Sequence, residues 1–291
     1  MGEETPIPTA EIRKTLSAQP LAGLGLFALF AFCLLFGIRY GDRVIWKLGI
    51  EPRIWDPLPV LMYHSVIPDG ESANDAMTVT EGKLRQDFDY ILETGNIPVL
   101  SRDLLDPVSL PKKRVLITFD DGYENNYTLL YPILQEYGFK ALICPIVGKI
   151  DSSDPGFCTW DQLREMAASG LVEIGSHTYD LHHEDPQPPN NPKKWADGIQ
   201  RRPKETDGEF QTRVLDDLQK SYDRLTEELG VSPVCFAYPY GKAEKDAQAL
   251  IDALFPVSLM TWEDTADLAK GTRRLPRCTV TMDSPLFWYV K

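Results

Sequence analysis

Apolar positions follow two rhythms along this chain. Short, nearly continuous apolar runs at 60–63, 115–119, 141–147, 172–176, 234–238 and 257–261 read as buried strands. Between them, apolar residues recur every three or four positions. Leu84, Phe88, Ile91 and Leu92 mark a helix over 80–94 stopped by Gly95, and 127–137 reads as a helix closed by Gly138. Thr159 and Gln162 form a capping box opening a helix that ends at Gly170. Val214, Leu218, Leu225 and Leu229 predict a helix over 210–229 stopped by Gly230, and 244–254 another. Residues 184–209 are polar and rich in Pro and Lys, so they read as a long loop. Strands alternating with helices at this pace imply parallel βαβ units and an α/β fold. Seven or so units close into a barrel more readily than into a flat sheet, and in barrels function gathers at the C-terminal strand ends.

One stretch does not belong to that rhythm. Residues 21–38 are 18 in a row without a charge, the length of a short transmembrane helix. The run exceeds a usual signal-peptide core, and no clear small-x-small cleavage site follows it, so an uncleaved membrane anchor is expected. This divides the chain into a tail (1–20), an anchor (21–38), a juxtamembrane stalk (39–57) and one catalytic-sized domain (58–291). Arg13 and Lys14 precede the run, while Arg39, Arg43, Lys47 and Arg53 follow it. On charge alone, the positive-inside rule would place the C-terminal side in the cytoplasm.

Composition excludes some functions. The net charge of −13 argues against nucleic acid as a partner, and against a broad basic surface on an anionic membrane. The five cysteines, Cys33, Cys144, Cys158, Cys235 and Cys278, are odd in number and widely spaced, with no CxxC pair. Neither a cysteine zinc site nor a compact disulfide framework is indicated, and Cys144 and Cys235 are expected as buried free thiols.

The chemistry collects where strands end. Thr118-Phe119-Asp120-Asp121-Gly122 runs an apolar strand directly into two adjacent carboxylates. Two such groups ionise together only beside a cation or donors, and Gly122 allows a sharp bend after the strand. An Asx turn capping the next helix would explain the pair equally well taken alone. Ser176-His177-Thr178-Tyr179-Asp180-Leu181-His182-His183 also follows a strand. His177 and His182 are five apart, roughly 140° around a helix, so a turning loop rather than a helix would aim both at one ion. The chain has four histidines, and the fourth, His64, ends the strand Leu61-Met62-Tyr63. In a barrel all four share one rim with the Asp pair. Two histidines and a carboxylate leave positions open for water and substrate, the pattern of a catalytic site rather than a structural one.

These residues carry a family resemblance. Thr118 to Gly122 resembles the first motif of the polysaccharide deacetylases (carbohydrate esterase family 4, the NodB homology domain), and His177 with His182 resembles the second. Phe236-Ala237-Tyr238-Pro239-Tyr240-Gly241 resembles the third, and Leu61-Met62-Tyr63-His64 the opening strand. The resemblance spans roughly 58–280, and the five-residue histidine spacing is most like the poly-β-1,6-N-acetylglucosamine deacetylases. It implies a distorted (β/α)7 barrel behind the N-terminal transmembrane helix. It implies Asp121, His177 and His182 as ligands of a divalent metal, zinc by default with Co, Ni or Fe as alternatives. It also implies Asp120 as general base, and the Tyr240 backbone N–H as oxyanion donor.

Two departures stand out. Ala237 occupies the place where most of the family has an arginine orienting the base; Arg274 or Arg277 are the candidates to replace it. The late histidine used elsewhere as general acid is missing, which leaves His64 for that role. Tyr123, Pro239 and Trp262 are the expected substrate contacts, with Trp160 and Trp195 as further stacking candidates, Asp264 as an orienting group and His183 as a neighbour of the ligands. The expected function is hydrolytic removal of acetyl groups from N-acetylglucosamine units of an extracellular polysaccharide, with the catalytic domain outside the cell against the charge count around the anchor. A β-1,4 peptidoglycan or chitin deacetylase, and a binding module that has lost catalysis, are the rival readings.

Overall fold

A computed structural model describes residues 56–73, 75–183, 198–242 and 244–291 of the 291. The expected anchor over 21–38, the stalk up to 55 and Trp195 lie outside the described residues. No helix among the described residues is long and apolar enough to cross a membrane.

Seven parallel segments follow one another by hydrogen bonding. They are β1 (Val60–Tyr63), β2 (Arg114–Asp121), β3 (Ala141–Pro145), β4 (Val172–Ile174), β5 (Cys235–Ala237), β6 (Val257–Leu259) and β7 (Cys278–Thr279). β1 pairs β2 with Tyr63 opposite Phe119, β2 pairs β3 with Asp120 opposite Cys144, and β3 pairs β4 with Ile143 opposite Ile174. Just past β4, Ser176 bridges to Phe236 of β5, and β5 pairs β6. Leu259 of β6 bridges to Leu275, and the chain then enters β7, which pairs back onto β1. The pairings therefore return to their starting strand. Two of the junctions are single bridges rather than ladders.

Successive strand residues point to opposite faces, and the burial follows that parity. Val60, Leu116, Leu142, Cys144, Cys235, Ala237, Val257 and Leu259 form the interior cluster. Leu61, Tyr63, Val115, Ile117, Phe119, Ile143 and Ile174 belong to a second cluster, with the helix residues Leu84, Phe88 and Ile91. Both faces of the strands are apolar, as parallel strands covered by helices require.

The helices are α1 (Glu81–Thr94), α2 (Tyr131–Tyr137), α3 (Val147–Asp151), α4 (Trp160–Ala168), α5 (Asp207–Leu229) and α6 (Lys245–Leu254). Thr80, Thr159 and Thr206 cap three of them through their hydroxyls, and Gly95, Gly138 and Gly230 close three in the left-handed conformation.

Several boundaries differ from the sequence reading by a residue or two, and three of the differences have a visible cause. The helix expected over 127–137 opens with a π-type stretch, Asn126–Leu130. Pro132, which has no N–H, sits at the start of α2 and cannot donate back into the preceding turn. The strand expected to run to Val147 ends at Pro145, because Val147 and Gly148 begin α3 and donate their N–H groups to the Thr178 and Tyr179 carbonyls. α5 starts three residues earlier than the apolar spacing implies, because Thr206 and Glu209 form a capping box ahead of Phe210. All four described cysteines are buried and unpaired.

Candidate active site

A cavity of about 530 Å³ opens at the C-terminal ends of the strands. Six of the seven segments contribute to its wall. They supply Met62, His64 and Ser65, Asp120 and Asp121, His177, Tyr238 and Tyr240, Thr261, and Thr279; Tyr123, Asp75, Met77 and His182 complete it. A larger groove, about 630 Å³, lies at the other strand ends near Ile97 and Lys140. It contains no histidine, so chemistry rather than size singles out the rim cavity.

Both carboxylates reach this cavity because β2 does not end as a regular strand. Asp121 sits at φ 71°, a left-handed conformation, which undoes the alternation that would turn it away from Asp120. Gly122 follows at φ 78°, and a Cβ there would lie 2.5 Å from the Cβ of Pro145. Thr178 (φ 75°) and Tyr240 (φ 55°) are left-handed too. Three of the six non-glycine residues with positive φ among those described thus belong to this rim, the clustering expected where backbone strain serves a site.

Asp121, His177 and His182 converge. The Oδ1 of Asp121 lies 3.6 Å from Nε2 of His177 and 3.5 Å from Nε2 of His182. These are the three residues among those described whose ligand atoms could share one ion. The donor set fits a divalent cation on two further grounds. Asp121 Oδ1 is buried without a hydrogen-bond partner, and three ligands at about 2.0–2.1 Å from a tetrahedral ion are separated by roughly 3.4 Å. His177 is aimed by its other nitrogen, because Nδ1 meets the Ala237 carbonyl at 2.7 Å, which leaves Nε2 as the free acceptor. Burial pushes its pKa down to about 4, so it stands neutral and able to ligate.

Asp120 belongs to a different arrangement. Arg277, fully buried, forks onto it, with Nη1 to Oδ1 at 2.8 Å and Nη2 to Oδ2 at 2.7 Å. The same guanidinium donates to the Met260 carbonyl (2.7 Å) and the Thr118 hydroxyl (3.2 Å). Burial alone would raise the Asp120 carboxyl, but the Arg277 charge, aided by His177 and His64, holds it well below the usual carboxylate range. Of the two candidates for the missing arginine, Arg277 is at the site; Arg274 turns outward to Gln248 (2.6 Å).

His64 lines the cavity with its Nδ1 buried and without a partner. Asn126 donates to the His64 carbonyl (2.9 Å), and Asn125 donates to the Ser65 hydroxyl (2.8 Å) while accepting from the Val66 N–H (3.3 Å). These two asparagines fix the strand end that carries His64, and nothing in their spacing singles them out in the sequence. Asp75 and Met77, from the loop before Thr78–Thr80, are cavity residues that sequence reasoning also missed.

The other expected residues divide. Tyr123 lines the cavity, stacks on Phe157 (5.3 Å, 23°), and has its phenol pushed up by burial and by the Asp121 carboxylate. The Tyr240 ring lies 4.6 Å from His182. Pro239 is buried and is not part of the wall. Trp262 is exposed and lies outside the wall; its carbonyl accepts from the Arg277 N–H at 2.9 Å. Trp160 is tied to Asp151 through its indole N–H (2.9 Å) and is absent from the wall, as are Asp264 and His183.

The polysaccharide deacetylase family model matches residues 108–254, half of the chain, and the chain belongs to that family. It is 30% identical over 265 residues to a poly-β-1,6-N-acetyl-D-glucosamine N-deacetylase of Escherichia coli K12, an alignment covering 82% of this chain. The chain spans about two fifths of that relative's length, 39%. Among solved structures, it is similar to a de-N-acetylase from Aggregatibacter actinomycetemcomitans, with a TM-score of 0.73, 26% identity and coverage of 79% of this chain and 97% of that one. It is similar also to IcaB from Ammonifex degensii, with a TM-score of 0.65, 28% identity and coverage of 79% and 94%.

Proposed function

We propose that this protein hydrolyses the N-acetyl groups of β-1,6-linked N-acetylglucosamine units in a polysaccharide outside the cytoplasm, held at the membrane by residues 21–38. The observation that carries the reading is one cavity holding the Asp121, His177 and His182 cluster beside an Arg277-clamped Asp120 and an unpartnered His64 nitrogen. The names of the relatives support the linkage, and the five-residue spacing of His177 and His182 agrees with it.

Each residue has work suited to its surroundings. Asp121, His177 and His182 would hold a divalent ion, zinc by default, which would supply Lewis-acid polarisation and a more acidic water. Asp120, ionised at any ordinary pH by Arg277, accepts the proton of the attacking water. His64 delivers a proton to the departing amine. The left-handed turn at Tyr240 presents backbone at the cavity edge beside His182, where an N–H stabilises the developing oxyanion.

The test is acetate release by the full chain, stripped of metal and reloaded with Zn, Co or Ni, from β-1,6-linked and β-1,4-linked N-acetylglucosamine oligomers. Metal-dependent release from the β-1,6 series is the expected result. Release from the β-1,4 series alone would move the substrate to peptidoglycan or chitin, and no metal uptake with no release would favour a binding module.

A further inference from the structure

The loop carrying His177 and His182 is held by one face of α5. Asp217, Ser221 and Arg224 lie at i, i+4 and i+7 on that helix, a single stripe. The Asp217 carboxylate accepts the Tyr179 N–H on one oxygen (2.9 Å) and the Asp180 N–H on the other (2.8 Å). The Ser221 hydroxyl meets that of Ser176 at 2.6 Å, and the Ser176 oxygen in turn accepts from the Thr178 N–H (3.3 Å). Arg224 forks onto Asp151 (2.8–3.2 Å), which also receives the Tyr179 hydroxyl (3.2 Å). From the start of α3, the N–H groups of Val147 and Gly148 donate to the Thr178 and Tyr179 carbonyls at 3.1 and 2.8 Å. Gly148 is a glycine of necessity here, since a Cβ would lie 2.6 Å from the Tyr179 oxygen.

So dense a clamp has a physical reason. Thr178 is β-branched and sits at φ 75°, a conformation its side chain disfavours and that persists only where surroundings over-determine it. His177 has anchors of its own, its N–H to the Pro145 carbonyl (3.1 Å) and its Nδ1 to the Ala237 carbonyl. The position of His182 depends on the path of the chain between the two histidines. Among the described residues, Asp217 is the one side chain that binds two consecutive N–H groups of that path, and it reaches in from 35 residues beyond His182.

We propose that Asp217 is a positioning residue for the metal centre: by gripping the Tyr179 and Asp180 backbone it sets where His182 stands, and so how tightly Asp121, His177 and His182 hold a divalent cation. This rests on the metal reading above. Leu218, its neighbour on α5, is buried in the apolar cluster instead and serves as control.

The experiment titrates zinc into the metal-free full chain against a chromophoric chelator, for the unmodified protein, Asp217→Asn and Leu218→Ala, with the melting temperature of each metal-free form. Asn at 217 keeps one acceptor oxygen and places an NH2 against the second N–H. Removal of a residue that orients a ligand weakens metal binding about 10- to 100-fold. Asp217→Asn should therefore lose at least tenfold in zinc affinity, and Leu218→Ala should melt lower yet bind zinc within about twofold of the unmodified chain. Unchanged affinity in Asp217→Asn, or an equal loss in Leu218→Ala, overturns the proposal. No zinc uptake by the unmodified chain overturns the metal reading itself, before Asp217 comes into question.

Discussion

Arg277 holds both oxygens of Asp120, at 2.8 and 2.7 Å, across 157 residues of sequence. Neither group is exposed, so each depends on the other for its charge. Arg277→Lys keeps the charge and loses the planar fork. Its kcat for acetate release should fall on the order of a hundredfold. The acid limb of the pH–rate profile should move upward, since a weaker cationic grip lets the Asp120 carboxyl rise toward its ordinary value. A profile unmoved on the acid side would separate Arg277 from the base.

The same pair gives a stability prediction. The Asp120 carboxyl is depressed in the folded state, so its contribution is fully present above the unfolded value of about 4 and fades as the pH falls below it. Arg277→Met leaves a buried carboxylate without its cation and should cost about 3–5 kcal/mol at neutral pH. That deficit should narrow in acid, where Asp120 can protonate. Urea denaturation at pH 7 and at pH 3 measures both ends.

His64→Ala should bind zinc as the unmodified chain does, because His64 lies outside the ligand cluster. Its turnover should drop about 10²- to 10⁴-fold, the usual worth of a general acid. Full activity in this variant would remove His64 from the proposed chemistry.

Chelation should abolish acetate release and lower the melting temperature. An ion bound only by the folded state stabilises by about 2.7 kcal/mol at a hundred times its dissociation constant. Zinc, cobalt and nickel added back should each restore both properties to differing degrees; calorimetry alongside the activity assay follows them. An enzyme indifferent to chelation would contradict the role proposed for Asp121, His177 and His182.

Gly122→Ala should be destabilised by about 1–3 kcal/mol, since the new Cβ meets Pro145 at a backbone angle that alanine disfavours. The loss should extend to metal affinity, because Asp121 precedes it. Thermal melting with and without zinc distinguishes the two effects.

Much of this was legible in the residues alone. The strand and helix rhythm stands in the observed elements within a few residues, while a short strand over Ile97–Val99 was not anticipated; the π-type opening before α2 and the early end of β3 are two shifts with a visible cause. Those two shifts fall at Pro132 and Pro145, where a missing N–H or a competing partner across the fold decided the boundary. Asp120, Asp121, His64, His177 and His182 could be singled out because each follows an apolar run, and parallel strands deliver their C-terminal ends to one side. Pro239 adjoins Tyr240 in one motif and Trp262 follows a strand, yet neither lies on the wall of this cavity, because position in sequence does not fix where a side chain lands.

The sequence by itself determined which residue types stand at the strand ends and which faces are apolar, because those depend on local periodicity. Only the tertiary structure decided that Arg277 rather than Arg274 meets Asp120, that Asn125 and Asn126 brace His64, and that Asp217 grips the loop to His182. Each of these contacts joins groups 37 to 157 residues apart. Their geometry exists only once the strand pairings have brought distant ends of the chain to the same rim.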